Sequence, residues 1–544
     1  MTETIATALL RALRDRGADR LFGIPGDFVL PFFRVIEESG ILPWHTLSHE
    51  PGVGYAADAQ GRFNCKLGVA VVTYGAGALN MVNAVAQAYA EKSPLVVISG
   101  APGHDEGALG LGLHHQVKTL GSQMEIYREL TCAQGVLDDP ATAPGEIARV
   151  LDAARRMSRP VYLEIPRDVV NAPCESVPPF DPGLPDREAA RACASEILSR
   201  LRGAERPAIL IGVEARRYDL EDRIARLCQK LAIPVATSFM GRGLLAGRDL
   251  PLVGTYLGSA GDELPARVVE GSDGLLMLGV ILSDTNFGVS GRNIDMQKAI
   301  RAFDRSVEFA HHRYDGIPLG PLVEALEEMA EPIGTATPNY RPEYKTGLPE
   351  GDMALEPSHV AMAVNDLFAA HGRMPIASDV GDCLFTGMEI MDTEFVAPGY
   401  YASMGLGVPA GMAINATSGK RPIILVGDGA FQMTGWELGN CRKYGLAPIV
   451  ILFNNRSWEM LRTFQPGPSY HDLDDWHYAA IAGHLGGKGR RVRTTGELGE
   501  ALAAAHDDPD HFHLIEVMLE RGATSRTLAR FAGALREMSA LKDE

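Results

Sequence analysis

Short apolar runs recur along the chain at residues 68–74, 95–99, 161–165, 208–212, 275–282, 423–426 and 449–453. They are rich in Leu and β-branched residues, and they end at Gly, Ser, Pro or Asn. Apolar side chains at successive positions fill both faces of a strand, the mark of parallel strands covered on both sides. Residues 42–48 read as a further strand. Longer helical stretches separate the runs, so the pattern predicts βαβ units and an α/β fold of three doubly wound parallel-sheet domains. Residues 1–20 predict an amphipathic helix, with Ile5, Leu9, Leu10 and Leu13 on one face. Arg11, Arg14, Asp15 and Arg16 interrupt it, which denies it the apolar core of a signal peptide.

Two proline-rich polar segments suit linkers better than the inside of a compact domain. One is 173–187, with five prolines, and the other is 331–356, with Pro332, Pro338, Pro342 and Pro349 and with Pro357 just beyond. They divide the chain into 1–175, 188–330 and 355–544. The outer two segments share a layout. In the first, the run 69–74 leads into Gly75-Ala76-Gly77, then a helical stretch, then Pro94 and a new run. In the third, the run 423–426 leads into Gly427-Asp428-Gly429, then a helical stretch, then Pro448 and a new run. This predicts two domains of one plan around a different middle domain, although any two βαβ units would share some of it.

Composition narrows the class. With 46% hydrophobic and 22% charged residues, the 544-residue chain has the balance of a globular protein of about three domains. No apolar run approaches the ~18 residues that span a membrane. A net charge of −18 argues against nucleic acid as the main partner. The seven cysteines are scattered with no CxxC pair, which fits a reduced, cytoplasmic enzyme. Gly75-Ala76-Gly77 and the segment 107–112 resemble fragments of dinucleotide fingerprints, but neither is complete. Segment 521–535, mixed in charge, reads as a solvated or lid helix.

The strongest chemical signal is Gly427-Asp428-Gly429 followed after 24 residues by Asn454-Asn455. Each half ends an apolar run, so Asp428 and Asn455 converge at the carboxyl edge of one sheet. A helix expected near Ala430 offers an N-terminus suited to an anion. A carboxylate and an amide oxygen are hard ligands of the kind Mg²⁺ takes beside phosphates. A loop-capping Asp and an Asn in a turn would account for either half alone.

This GDG–NN spacing resembles the signature of thiamine diphosphate enzymes. The rest of the chain is similar to their pyruvate decarboxylase-like branch, and in particular to bacterial phenylpyruvate and indole-3-pyruvate decarboxylases. The resemblance is carried by Gly23-Ile24-Pro25-Gly26-Asp27, His49-Glu50-Pro51, His114-His115 and the stretches 430–441 and 453–466. It implies an N-terminal pyrimidine-binding domain, a middle domain and a C-terminal domain that binds diphosphate and Mg²⁺. It implies that Asp428, Asn455 and the Ser457 carbonyl ligate Mg²⁺, with Gly429 and Ala430 at the diphosphate. Asp382, in a motif that departs from related decarboxylases, would lie on the cofactor wall, and a helix N-cap is its equal alternative. Glu50, which could also be a plain first-turn helix residue, would hold the aminopyrimidine N1′. Met404, otherwise core filler, would support the bent cofactor, with the backbone near Ala402 bonding the aminopyrimidine. His114 and His115, after the glycine-rich and mobile-looking stretch 103–112, would join Asp27 in a proton relay.

One position departs from the branch. Many pyruvate decarboxylases carry Glu six residues after the second Asn, where this chain has Leu461. Asp284 is a candidate substitute, although capping of residues 285–287 explains it as well. Leu461 beside Trp458, Met460 and Met404 makes the expected pocket apolar, which favours an aromatic 2-oxo acid over pyruvate. The resemblance therefore implies non-oxidative decarboxylation of phenylpyruvate or indole-3-pyruvate, in a homodimer or homotetramer with active sites between subunits. The pathway, aromatic amino-acid catabolism or indoleacetic acid formation, stays open. The alternatives are an acetolactate synthase-like carboligase, against which the His pair argues, and an inactive cofactor-binding regulator, for which Leu461 is the one support.

Overall fold

A computed structural model of the chain describes residues 3–183, 185–288, 293–334 and 344–543. Part of the second expected linker, 335–343 with Pro338 and Pro342, lies outside the described residues. Three sheets are present. The first contains β1 (Leu21–Gly23), β2 (Trp44–Thr46), β3 (Gly68–Val72), β4 (Leu95–Ala101), β5 (Ala133–Val136) and β6 (Val161–Pro166). The middle one contains β7 (Pro207–Ile211), β8 (Val235–Ser238), β9 (Leu252–Tyr256), β10 (Gly274–Leu278), β11 (Ile300–Phe303), β12 (Ser306–Glu308) and β13 (Arg313–Asp315). The third contains β14 (Ile376–Ser378), β15 (Phe395–Val396), β16 (Ile423–Gly427), β17 (Ile449–Asn454), β18 (Lys488–Val492) and β19 (His513–Met518).

The first sheet runs β2-β1-β3-β4-β6-β5 and the third β15-β14-β16-β17-β19-β18. Counted from its own first strand, each has the order 2-1-3-4-6-5, and every pairing in both is parallel. The shared layout of the outer segments is thus a shared topology. The middle sheet runs β9-β8-β7-β10-β11-β12-β13. It is mostly parallel, as expected, and only its last two pairings are antiparallel. The hairpin β12–β13 covers one edge, and it escaped the pattern because its strands are short and polar.

All residues of β3 and β4 are buried, as the continuous apolar runs require. The run 275–282 leaves the sheet at Leu278 because Gly279 takes φ +67°. The helices Glu50–Asn64 and Gly407–Ser418 pack together, and one apolar core joins the outer two units across them through Val53, Tyr55, Leu406 and Met412. Small residues let the helix Val82–Ala90 approach the first of these helices closely: a Cβ at Gly54 would lie 2.6 Å from that of Ala84. The helix Arg526–Asp543 is not simply solvated, because Leu528 and Phe531 pack with Phe239 and Phe385. Among the described residues no helix is long and apolar enough to cross a membrane.

Candidate active site

β16 ends at Gly427, and a helix begins at Asp428, two positions before the expected start at Ala430. Asp428 Oδ1 accepts the Gly429 amide at 2.8 Å, and Oδ2 accepts the Arg456 amide at 2.6 Å. β17 pairs beside β16 with Gly427 opposite Phe453, so Asn455 emerges at the same edge. Its Oδ1 accepts the Ser457 amide at 3.1 Å. Asp428, Asn455, Ser457 and Ala430 are all buried. Burial pushes the Asp428 carboxyl up to about 6, although the Gly429, Arg456 and Ser457 amides pull it down. The loop is braced from outside: Trp458 N–H donates to the His471 carbonyl at 2.8 Å and Leu473 N–H to the Arg456 carbonyl at 2.9 Å. Asn454 Nδ2 donates to the buried Glu516 at 2.6 Å. Neither His471 nor Glu516 carries a signal in the sequence.

The Trp458 ring packs against Gly429, where an added Cβ would meet it at 2.0 Å. Leu461 is 53% exposed on the short helix Glu459–Phe464, while Met460 and Phe464 face the C-terminal helix cluster. The two neighbours expected together in one pocket thus part to different surroundings.

Glu50 opens the helix Glu50–Asn64 and is followed by Pro51. Its Oε2 accepts Asn80 Nδ2 at 2.7 Å, and its Oε1 lies 3.6 Å from the Cβ position of Gly77. The amides before it, Ser48 and His49, donate to Glu437 at 2.6 and 3.1 Å. Asp27 opens a short 3₁₀ turn after β1. His114 Nε2 is bonded to Asp27 Oδ2, and His115 Nε2 stands 3.9 Å from Oδ1. Adjacent side chains reach one carboxylate because His115 is left-handed, φ +66°. The His114 ring stacks on Phe28 with centroids 4.7 Å apart. Desolvation alone would raise the Asp27 carboxyl, but the His114 hydrogen bond and charge, the Phe28 amide and His115 hold it below the usual carboxylate value. The glycine-rich stretch begins as a helix, His104–Ala108, pinned by Gly103 N–H on Glu106 at 2.9 Å and by Arg167 on the same carboxylate at 2.8 Å.

Met404, 38% exposed, sits in a turn in which Ala402 has φ +61° and Gly405 φ +95°. Tyr400 and Tyr401 donate their amides to Glu91 at 2.7 and 2.8 Å. Gly405 and Gly407 donate theirs to the buried Asp379. Sequence reading passed over Glu91 and Asp379. It chose Asp382, but that carboxylate is taken by Ser525, whose amide donates at 2.8 Å and whose hydroxyl also bonds it. Asp382 faces the C-terminal helix, and as the first residue of Asp382–Thr386 it makes no side-chain cap. Asp284 accepts the Thr285 amide at 2.8 Å, the bond of a residue that caps its own loop.

The oxygens of Asp428 and Asn455, with the Ser457 carbonyl, form a hard donor set fit for Mg²⁺. The glycine at 427 leaves open space where a Cβ would stand. These residues fit a magnesium diphosphate. In the other half, a carboxyl opposite a glycine fits a ring nitrogen. The hydrogen bonds of Glu50 and of Asp27 stay within the first sheet unit, and those of Asp428 and Asn455 stay within the third.

Comparison with known proteins agrees. The thiamine pyrophosphate enzyme N-terminal TPP-binding domain matches residues 3–126, the central domain 194–319 and the C-terminal TPP-binding domain 379–517. The chain is 58% identical over 545 residues to an indole-3-pyruvate decarboxylase of Azospirillum brasilense, covering 99% of this chain and 100% of that protein. It is 30% identical to an alpha-keto-acid decarboxylase of Mycolicibacterium paratuberculosis, covering 96% of this chain and 95% of that one. A namesake in Mycobacterium ulcerans is also 30% identical, over 98% of this chain and 96% of the other.

Proposed function

Because the chain belongs to the thiamine pyrophosphate (thiamine diphosphate) enzymes, we propose that it is a carboxy-lyase that converts an aromatic 2-oxo acid, phenylpyruvate or indole-3-pyruvate, to the aldehyde and CO₂. The observation that carries this reading is the Asp428–Asn455–Ser457 oxygen cluster, present in a chain that also presents Glu50 and the Asp27–His114 pair. Asp428, Asn455 and the Ser457 carbonyl would hold Mg²⁺ on the diphosphate. Bound thiamine diphosphate supplies the electron sink that accepts the electron pair as CO₂ leaves. Glu50 holds a proton at the aminopyrimidine nitrogen, and Asn80 orients its carboxyl. His114, aligned by Asp27, delivers the proton that takes the place of CO₂. Met404 would support the bound cofactor. Leu461 adds apolar surface, from which an aromatic side chain gains more than a methyl group does.

The two halves complete each other in a second copy of the chain. Apolar side chains lie exposed near both: Leu109 and Leu111 beside the histidines, Met433 and Trp436 beside Asp428. Burying them in a homodimer, or a dimer of dimers, would bring the Glu50 half of one copy to the Asp428 half of the other. A cytoplasmic location fits the seven free cysteines.

The test of the proposal is aldehyde formation from phenylpyruvate, indole-3-pyruvate and pyruvate, with and without thiamine diphosphate and Mg²⁺. Turnover of the aromatic acids that needs both is expected. Turnover of pyruvate alone would sink the substrate assignment, and no aldehyde from any acid would sink the lyase reading.

A further inference from the structure

The turn that presents Met404 is a conformation that its sequence does not favour. Ala402, a residue with a Cβ, takes φ +61°, and Gly405 takes φ +95°. A left-handed non-glycine residue is strained and persists only where the surroundings over-determine it. Before Ala402 the Tyr400 and Tyr401 amides are held by Glu91, and after it the Ser403 amide is held by Gln87. Beyond Met404 the grip is that of Asp379, one residue past β14 and buried. Its Oδ1 accepts the amides of Val380 at 2.9 Å and Gly405 at 3.0 Å. Its Oδ2 accepts the amides of Gly405 at 3.0 Å and Gly407 at 2.8 Å. Only a carboxylate can do this, since the amide of Asn would turn a donor toward one of these donors.

The other side of the same residue is also held. Thr434 Oγ1 donates to the Gly405 carbonyl at 2.8 Å. Thr434 closes the helix that Asp428 opens. Gly405 is thereby gripped at both its amide and its carbonyl, once from the end of β14 and once from the metal-motif helix. No room is left for adjustment: a Cβ at Gly407 would stand 2.9 Å from the Asp379 backbone nitrogen, and one at Gly405 3.0 Å from the Thr434 methyl.

We infer that Asp379 is a positioning residue for the cofactor: its carboxylate locks the Gly405 and Gly407 amides so that Met404 is held in one orientation relative to the Asp428–Thr434 helix. The inference rests on the reading in which Met404 supports thiamine diphosphate. Asp379 need not touch cofactor or substrate; it acts through the turn.

The test compares the wild-type chain with Asp379→Asn and Thr434→Val. Amide hydrogen exchange at Gly405 and Gly407 is read on the cofactor-free proteins. Thiamine diphosphate affinity is read by fluorescence quenching, the bound aminopyrimidine by near-ultraviolet circular dichroism, and kcat and KM by aldehyde formation. In Asp379→Asn the two amides should exchange faster. The cofactor Kd should rise by about tenfold or more, as expected for losing a charge-assisted hydrogen-bond hub. The dichroism band should weaken, and kcat should fall with KM for the 2-oxo acid unchanged. Thr434→Val should move each readout the same way by less. Faster exchange with unchanged cofactor affinity and dichroism would make Asp379 a structural anchor only and overturn the inference. If Asp379→Asn does not fold, wild-type affinity and dichroism in Thr434→Val overturn it alone. A wild-type chain that binds no thiamine diphosphate overturns the functional reading and this inference together, and that failure shows in the wild-type arm.

Discussion

Asn80 donates to Glu50 Oε2 at 2.7 Å across 30 residues of chain. The bond occupies one carboxyl oxygen and leaves Oε1 facing Gly77, where the missing side chain opens the approach. The first turn of one helix therefore carries the acid, and a short neighbouring helix, Ala76–Asn80, aims it.

Glu50→Gln keeps an oxygen for Asn80 but removes the exchangeable carboxyl proton. The variant should fold with wild-type melting behaviour and still bind thiamine diphosphate and Mg²⁺. Aldehyde formation should fall by about 10²–10⁴-fold, the range for a lost general acid–base group. Near wild-type turnover would remove Glu50 from the chemistry.

His114→Phe keeps a ring to stack on Phe28 but leaves Asp27 without its strongest partner. The Asp27 carboxyl, held low in the native chain, should rise toward its ordinary value. The acid limb of kcat/KM should then move to higher pH, while kcat falls at every pH. The stability sign is that of a depressed carboxyl: the contribution is present above the ordinary carboxylate value and lost as pH falls through the lowered one. The Asp27 side chain is 38% exposed, so that contribution is screened and small. A pH profile that keeps its acid limb would contradict the pairing.

Asp382 titrates in the opposite sense. Burial pushes its carboxyl up to about 7, against the pull of Ser525. A carboxyl raised on folding contributes stability that is fully present below its unfolded value near 4 and lost as pH climbs through about 7. Ser525 leads into the C-terminal helix, so the helix should become more open to protease as pH rises from about 4 to about 7. Asp382→Asn should flatten that dependence, as followed by limited proteolysis. A slope that survives the substitution would assign it to another group.

Leu461→Glu restores the carboxylate that many pyruvate decarboxylases carry at this position. Because Leu461 is 53% exposed, stability should change by no more than about 0.5 kcal/mol. The ratio of kcat/KM for phenylpyruvate to that for pyruvate should fall by about tenfold, the worth of some 1–2 kcal/mol of apolar contact. An unchanged ratio would take Leu461 out of substrate selection.

The sequence revealed what is local or repeated. Continuous apolar runs located β3, β4, β6, β7, β10, β16 and β17, because a strand covered on both faces must be apolar at every position. The GDG–NN spacing located Asp428 and Asn455, because neighbouring parallel strands carry their ends to one edge. Strands such as β18, whose Lys488–Arg490 are exposed, left no such trace. Asp382 and Asp379 lie three positions apart in one motif, and only packing could tell that the first faces Ser525 and the second the Met404 turn.

Taken alone, the sequence determined the α/β class, the shared plan of the outer units, the strand-end GDG–NN motif and the family. These follow from side-chain periodicity and from motif spacing, both of which are set within a few dozen residues. The tertiary structure decided the partnerships that span the chain. Asp27 meets His114 across 87 positions, and His115 joins them because it adopts a left-handed backbone that no composition announces. Trp458 settles on Gly429, and Asp379 gathers the amides of Gly405 and Gly407, because folding leaves each buried donor and each apolar face one place to be satisfied.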